Sequence, residues 1–536
     1  MKYTSLLFLV PGIIAFEMPF SIPKFIRHKI SPAERGASAG DTPVGGPANP
    51  RIAIIGAGAG GSSAAFWISK AKERFGLDVD VDVYERSNYI GGRSTTVFPY
   101  EDNTLPELEL GASIFVQANK NLWRASDEFN LTRRDFGEEK YEMGLWDGEK
   151  VVFDFEGGLW GTVKVLWRYG LTSPKRSQDI VKAMIDQYIG FYSKETPKWE
   201  DIAQLSEAYG WTELTGSSTM EYLLHRGISR RYISELVEGA TRVNYGQARY
   251  QNVDYIHALE GLCSLAANGA VGIEGGNFQI FEQFLKRSGA LMHLNTTVTS
   301  ILPKKNSKGW TVATFRGSQD YTAVILAAPF HSTDIVVPHT ISEKIPKQPY
   351  VHLHVTLLTT TSEYPNPSYF ALAPSTKPAR MMLTTYEGVR KDGKAPEFNS
   401  LSYHGLVRDG EWAVKIFSRE YISDEWLSEV FNGQVGWVFR KEWDAYPKLP
   451  PTTSFPPVRL DKGFYYVNSF EPFISAMETE TVSSRNVVDL LLNEEFNAGI
   501  CGSRISDSNS ENFTHTNETT TTRKQDEDNY VYGWDC

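Results

Sequence analysis

The segment from Arg51 to Glu85 admits few folds. Ile52-Ala53-Ile54-Ile55 is a short apolar run of buried-strand type, and Gly56, Gly58 and Gly61 follow it in the spacing G-x-G-x-x-G, with Gly60 beside the last. Small and apolar residues from Ser62 to Ser69 continue as a helix. The first glycine permits a tight strand-to-helix turn, the second lets backbone approach a pyrophosphate, and the third lets helix and strand pack closely. The helix N-terminus offers unpaired N–H groups and the positive end of its dipole to phosphate. A second strand comes next, in which Val79, Val81 and Val83 alternate with Asp78, Asp80 and Asp82. The aspartates predict a strand partly exposed near its start. Glu85 ends it, at the distance from Gly61 where an acid reaches ribose hydroxyls. A glycine-rich surface loop explains none of these flanking features.

The motif occupies a small part of 536 residues, a length that predicts two or three structural units. Apolar residues make up 41% and aromatics 13%, enough for a large core. A formal net charge of −11 argues against nucleic acid as the main partner and disfavours anionic membrane surfaces. Lys2 followed by the apolar run Leu6 to Phe16 reads as a signal peptide, residues 1–16, too short to span a bilayer. No later stretch is apolar enough for a transmembrane helix. Four Asn-x-Ser/Thr sequons, at Asn130, Asn295, Asn512 and Asn517, accord with a glycoprotein of the secretory pathway, in a lysosome or vacuole or secreted. Cys263, Cys501 and Cys536 allow at most one bridge, and free or buried thiols are the expectation.

Residues 17–50, rich in Pro, Gly, Ser and Ala, read as a flexible linker, and 503–536, rich in Ser, Thr, Asn and acids, as a disordered acidic tail. Between them the expected class is mixed α/β. A Rossmann-like FAD-binding domain of the glutathione-reductase type is drawn from 51–145, 261–330 and 466–502. It is interleaved with a substrate domain that is helical over 146–260 and a mixed sheet over 331–465. The spacing of Val181, Met184, Ile185, Tyr188 and Ile189 predicts a helix. Residues 349–359 and Ala323 to Leu326 predict strands, and Glu480 to Leu492 a helix.

The residues just after Glu85 separate FAD from NAD. Arg86, then Gly91-Gly92-Arg93-Ser94, resembles the E-R-x-x-x-x-G-G-R-[ST] signature of amine-oxidase and glutathione-reductase-like flavoproteins. An NAD dehydrogenase leaves that signature unexplained. The resemblance implies that Gly91 and Gly92 let backbone pass the FAD diphosphate and ribityl chain. It also implies that Gly111 and Ala112, within Glu109–Ser113, lie by the isoalloxazine, and that the backbone at Val298 meets the adenine. Met477 and Glu478 open a late helix, and the resemblance implies that its N-terminus faces the flavin pyrimidine edge, where it stabilises negative charge.

Further stretches, notably Arg242 to Gln247 and Asn268 to Gly276, are similar to one family in that group, the prenylcysteine oxidases (prenylcysteine lyases), over most of residues 51–495. The resemblance implies flavin-dependent oxidation of the carbon bonded to sulfur in farnesyl- or geranylgeranyl-cysteine. Addition of water and collapse would give cysteine and a prenyl aldehyde, with molecular oxygen reduced to hydrogen peroxide. The partners are thus a small apolar prenyl-bearing substrate and oxygen. Two alternatives stay open: an FAD oxidase acting on a prenylated or terpenoid metabolite, and a flavin-bearing glycoprotein without turnover. Asn244, Tyr245 and Gln247 are candidates to line the pocket or orient the amino acid, or else to form a structural turn. His257 and His404 are candidate bases, though hydride abstraction from a thioether needs no strong base. His352 and His354 share one face of a predicted strand, but no third metal ligand stands near them in the sequence, and no metal is expected.

Overall fold

The computed structural model describes residues 49–135, 142–155, 158–245, 252–305, 307–502 and 530–536. The proposed leader, nearly all of the linker, Gln247, Asn512 and Asn517 lie outside the described residues.

Arg51–Ile55 is the pivot of a six-stranded sheet. It pairs in parallel with Asp80–Tyr84 on one side and Ala323–Leu326 on the other. Leu291–His293 extends the first side in parallel, Phe464–Tyr466 the second, and Arg459–Asp461 closes that edge antiparallel. Successive side chains of a strand point to opposite faces. Ile52 and Ile54 accordingly join the core beneath the helix Ala59–Phe75 and the C-terminal helix Met477–Phe496. Ala53 and Ile55 pack instead with Val298, Ile301, Trp310 and Val312 of a three-stranded antiparallel sheet. Asp78 and Asp80 are exposed, as the alternation suggested, whereas Asp82 is buried. Its charge is met by Arg51 and by His293 at 2.8 Å.

A seven-stranded sheet, ordered Val435–Pro447, Tyr350–Thr360, Glu411–Ser418, Ser400–Arg408, Met381–Thr384, Met143–Trp146, Val151–Phe155, forms the second body. All its pairings are antiparallel except Met381–Thr384 with Met143–Trp146. Between residues 158 and 263 the described chain is helical, including Thr172–Tyr188, whose Val181, Met184 and Tyr188 are buried.

The end of the chain corrects the expectation of a tail disordered throughout. Cys501 is bonded to Cys536, and only Cys263 is free, so the expectation of free thiols is corrected too. Val531 and Tyr532 are buried. Trp534 packs in a ring cluster with Phe66, Trp67, Phe129 and Phe284. Arg74 donates to the carbonyls of Ile500 (2.9 Å), Gly533 (2.9 Å) and Trp534 (3.1 Å), and Arg485 to that of Tyr532 (3.0 Å). The average composition of residues 503–536 hides the apolar Tyr530-Val531-Tyr532-Gly533-Trp534 at its close.

Candidate functional site

Two glycines of the first turn are dictated by the chain itself. Gly56 has φ +107°, and a Cβ there would lie 2.4 Å from the Ala327 carbonyl oxygen. At Gly61 a Cβ would lie 1.9 Å from the Gly56 oxygen. Gly58 is different: its φ of −79° suits any residue, and a Cβ there would meet nothing nearer than Gly92 Cα at 3.8 Å. The open space at Gly58 is what a pyrophosphate passing over this turn requires. Gly91 faces it in a parallel bridge, its N–H donating to the Ala57 carbonyl at 3.0 Å. The Glu85 carboxylate fastens the same turn, accepting from the N–H groups of Ala57 (2.9 Å) and Ser87 (2.8 Å).

Buried polar atoms point the same way. Ser94 Oγ, Glu109 Oε2 and Glu480 Oε1 have no hydrogen-bond partner among the described residues. Glu480 Oε2 lies 3.2 Å from the position of a Cβ at Gly60, and burial drives its carboxyl well above the usual range. Buried carboxyl oxygens and a hydroxyl without partners suit a ligand bearing phosphates and hydroxyls, and the cradle fits FAD. Sequence reasoning missed Glu480; an acid on a helix otherwise buried at this depth was the available signal.

Other motif residues hold the frame. Arg93 pairs with Glu471, which also accepts from the Tyr350 hydroxyl, and donates to the Ala445 carbonyl at 2.9 Å. Burial works against the Arg93 charge, but the Glu471 carboxylate outweighs it and raises the guanidinium pKa further. Arg86 donates to the Ser332 carbonyl at 3.1 Å. Val298 starts the strand Val298–Pro303 and is buried. The Glu478 side chain caps the helix Lys120–Glu128, accepting from the N–H groups of Asn121 (2.8 Å) and Leu122 (2.9 Å) and from the Tyr192 hydroxyl.

Gly111, Ala112 and Met477 line a cavity of about 810 Å³. Phe115, Met184, Ile185, Tyr188, Val243 and Phe417 supply apolar wall, drawn from both the helical segment and the seven-stranded sheet. Charged groups also face in: Glu109, Lys415, Arg134 and Arg380 among them. Lys415 donates to Ser113 Oγ at 3.1 Å. Burial lowers its pKa and raises that of Glu109, the two charges partly offsetting each other. Asn244 and Tyr245 line the cavity, with Asn244 Nδ2 donating to the Ser264 carbonyl at 3.2 Å. Arg242, of the same stretch, is buried and ties its helix to the sheet through Thr384 (2.6 Å) and Asn399 (3.1 Å).

The histidines separate. His404 lines the cavity and is kept neutral, burial and then Lys415 and Arg134 lowering its pKa to about 3. His257 is a helix cap: its Nδ1 accepts from the Glu260 N–H at 3.2 Å, and burial lowers its pKa to about 4. His352 and His354 acquire neighbours across the ladder that the sequence does not show. Glu442 Oε2 is 3.5 Å from His352 Nε2 and 3.7 Å from His354 Nε2, and Asp444 is 3.1 Å from His352 Nδ1. His352, His354, Glu442 and Asp444 do not line the cavity.

Comparison with known proteins gives a consistent picture. Residues 155–500 match the family model described as prenylcysteine lyase, and residues 54–129 match an NAD(P)-binding Rossmann-like domain. The chain is 31% identical to the farnesylcysteine lyase of Arabidopsis thaliana over 463 residues, 82% of this chain and 88% of that one. It is 28% identical to prenylcysteine oxidase 1 of Homo sapiens, covering 81% and 87% of the two chains. Among solved structures, putrescine oxidase bound to putrescine aligns with a TM-score of 0.55 at 16% identity over 83% of this chain and 99% of that one. Cyclohexylamine oxidase from Brevibacterium oxydans does so with a TM-score of 0.55 at 14% identity, with the same two coverages. At those identities the likeness establishes the fold, while the matched family model and the length of the sequence alignments establish that this chain is a member of the prenylcysteine lyase family.

Proposed function

We propose that the chain is an FAD-dependent oxidase that cleaves the thioether of farnesyl- or geranylgeranyl-cysteine. The single observation that carries this reading is the cavity of about 810 Å³, walled largely by apolar side chains yet holding buried charges of both signs. Such a space accepts a long hydrocarbon chain together with a zwitterionic amino acid. Bound FAD supplies a two-electron acceptor, with molecular oxygen as the final oxidant. The overall balance is thioether plus water plus oxygen, giving thiol, aldehyde and hydrogen peroxide.

The chain's own residues bind and orient. Phe115, Met184, Ile185, Val243 and Phe417 exclude water from the prenyl chain, which fixes its reacting carbon. Lys415 offers a cation to the substrate carboxylate and Glu109 an anion to its ammonium, both in surroundings that strengthen charge pairing. His404, kept neutral, adds no competing charge. The secretory pathway is the compartment this reading adopts. The Cys501–Cys536 bond suits an oxidising lumen, and Asn130 and Asn295 are exposed on turns open to glycosylation.

Anaerobic mixing with farnesylcysteine tests the reaction: the flavin absorption band should bleach, and oxygen should restore it with release of peroxide. A flavin that stays oxidised with both prenylcysteines, or that bleaches only with sulfur-free prenyl compounds, refutes the substrate assignment.

A further inference from the structure

The helix Gly158–Tyr169 has two apolar stripes, and only one is used. Gly161, Val165 and Tyr169 are buried against the body of the protein. Trp160, Val163 and Trp167 recur at steps of three and four residues on the opposite side, about 200° around from the buried stripe, and Leu171 follows just past the helix end at Gly170. They are 75%, 51%, 87% and 65% exposed, and Leu159 beside them is 78% exposed. Soluble monomers rarely leave contiguous apolar patches of this kind open, and two tryptophans in water on one helix are a still stronger departure. Tryptophan beside leucine and basic residues is the composition of helices that lie in the headgroup region of a bilayer.

Local charge agrees with a lipid surface. Residues 158–178 contain Lys164, Arg168, Lys175 and Arg176 and no acid, within a chain whose net charge is −11. Lys164 meets Asp154, Arg168 meets Glu235 and Lys175 meets Asp179 just beyond this stretch, so the attraction to lipid phosphate is largely offset and the apolar stripe supplies most of the binding. Position completes the case. Glu142 and Met381 are among the residues that line the cavity. Met381 pairs with Met143, Met143 pairs with Phe155, and the Phe155 ring lies 2.6 Å from where a Cβ at Gly161 would stand. The first turn of the exposed helix therefore packs on the edge strand Val151–Phe155, two strands from the cavity-lining Met381. Met184 and Ile185, on the next helix, line the same cavity.

We propose that the helix Gly158–Tyr169, with Leu171, is an interfacial membrane anchor that holds this side of the protein, next to the cavity wall, on the lipid surface in which prenyl chains dissolve. The inference rests on the proposed substrate class for its purpose, but its binding measurement does not depend on turnover. The test uses the full-length protein and its Trp160→Ser/Trp167→Ser variant with phosphatidylcholine vesicles, with and without phosphatidylserine. Wild type should co-sediment with both kinds of vesicle, and the variant should bind at least about tenfold more weakly. Because both tryptophans are exposed, the variant should keep its thermal midpoint and flavin absorbance. Its kcat/KM on dilute, monomeric farnesylcysteine should stay within about twofold, while kcat/KM on vesicle-embedded substrate falls with the binding. Wild type that stays in the supernatant, or a variant that co-sediments like wild type, overturns the anchor. Wild-type dimers that the substitutions dissolve, without vesicle binding, assign the stripe to a second copy and also overturn it. Vesicle binding without turnover of any prenylcysteine refutes the proposed reaction and leaves the anchor standing.

Discussion

Gly58 permits a substitution that separates folding from cofactor binding. With φ −79° and ψ −164° the backbone is in the extended region, where a β-branched residue is unstrained. A Cβ would sit 3.8 Å from Gly92 Cα and 3.9 Å from the Gly91 oxygen, ordinary contact distances. Gly58→Val should therefore change the stability of the apoprotein by less than about 1 kcal/mol. The valine methyls would occupy the space above the turn and push a pyrophosphate off the helix N-terminus. Charge-assisted hydrogen bonds contribute about 1.5–3 kcal/mol each. Loss of two would cost about 3–6 kcal/mol, a weakening of roughly a hundredfold to ten-thousandfold. Flavin absorbance relative to protein absorbance after purification, and thermal unfolding of stripped protein, give the two readouts. Gly61→Val is the contrast: with 1.9 Å between its Cβ and the Gly56 oxygen, that variant should not fold at all. A Gly58→Val protein that retains full flavin, or one that unfolds as completely as Gly61→Val, refutes the assignment of that space to the pyrophosphate.

Cys536→Ser releases a bridge that closes a separation of 35 residues. Chain entropy puts the loss at up to about 4 kcal/mol, seen as a midpoint lowered by several degrees that reducing agent does not lower further. Burial raises the Glu260 carboxyl from 4.5 to about 8, so the stability tied to its protonated form is complete below about pH 4.5 and is lost as pH rises through about 8. At 1.36 kcal/mol per tenfold in proton affinity the ceiling is about 5 kcal/mol. Thermal midpoints should fall between pH 5 and 8, and Glu260→Gln, which keeps an acceptor for the Ser475 N–H, should flatten that fall; an unchanged slope rejects the assignment. Glu478, raised by burial to about 7, acts in the same direction, as do Glu109 and Glu480, and together they contribute to the residual slope. Lys415→Met should raise KM for farnesylcysteine about tenfold or more while flavin occupancy holds, and an unchanged KM in steady-state assays removes Lys415 from the amino-acid site.

Legible along the chain was whatever neighbouring residues decide together. Strand, turn, helix and acid from Ile52 to Glu85 are a local sentence: backbone sterics at Gly56 and the period of the apolar residues fix it before any distant contact forms. The same holds for the parallel strand Ala323–Leu326 and the C-terminal helix, whose apolar patterns mark burial on both faces. Glu478 shows the limit. Its place at the start of that helix was legible, but its side chain turns to cap Lys120–Glu128, a partner more than 300 residues away that no spacing reveals. His352 and His354 likewise had no third neighbour until the ladder set Glu442 and Asp444 opposite them. The end of the chain was misjudged because composition averages, whereas Trp534 and Cys536 act singly by meeting a ring cluster and one thiol. Residue order was thus enough for the cofactor turn and the family. Folding in three dimensions had to settle which walls enclose the cavity, which charges it buries, and which apolar stripe was left facing water. Those depend on contacts between segments far apart in the chain, and hydrophobic burial is indifferent to the order in which its residues occur.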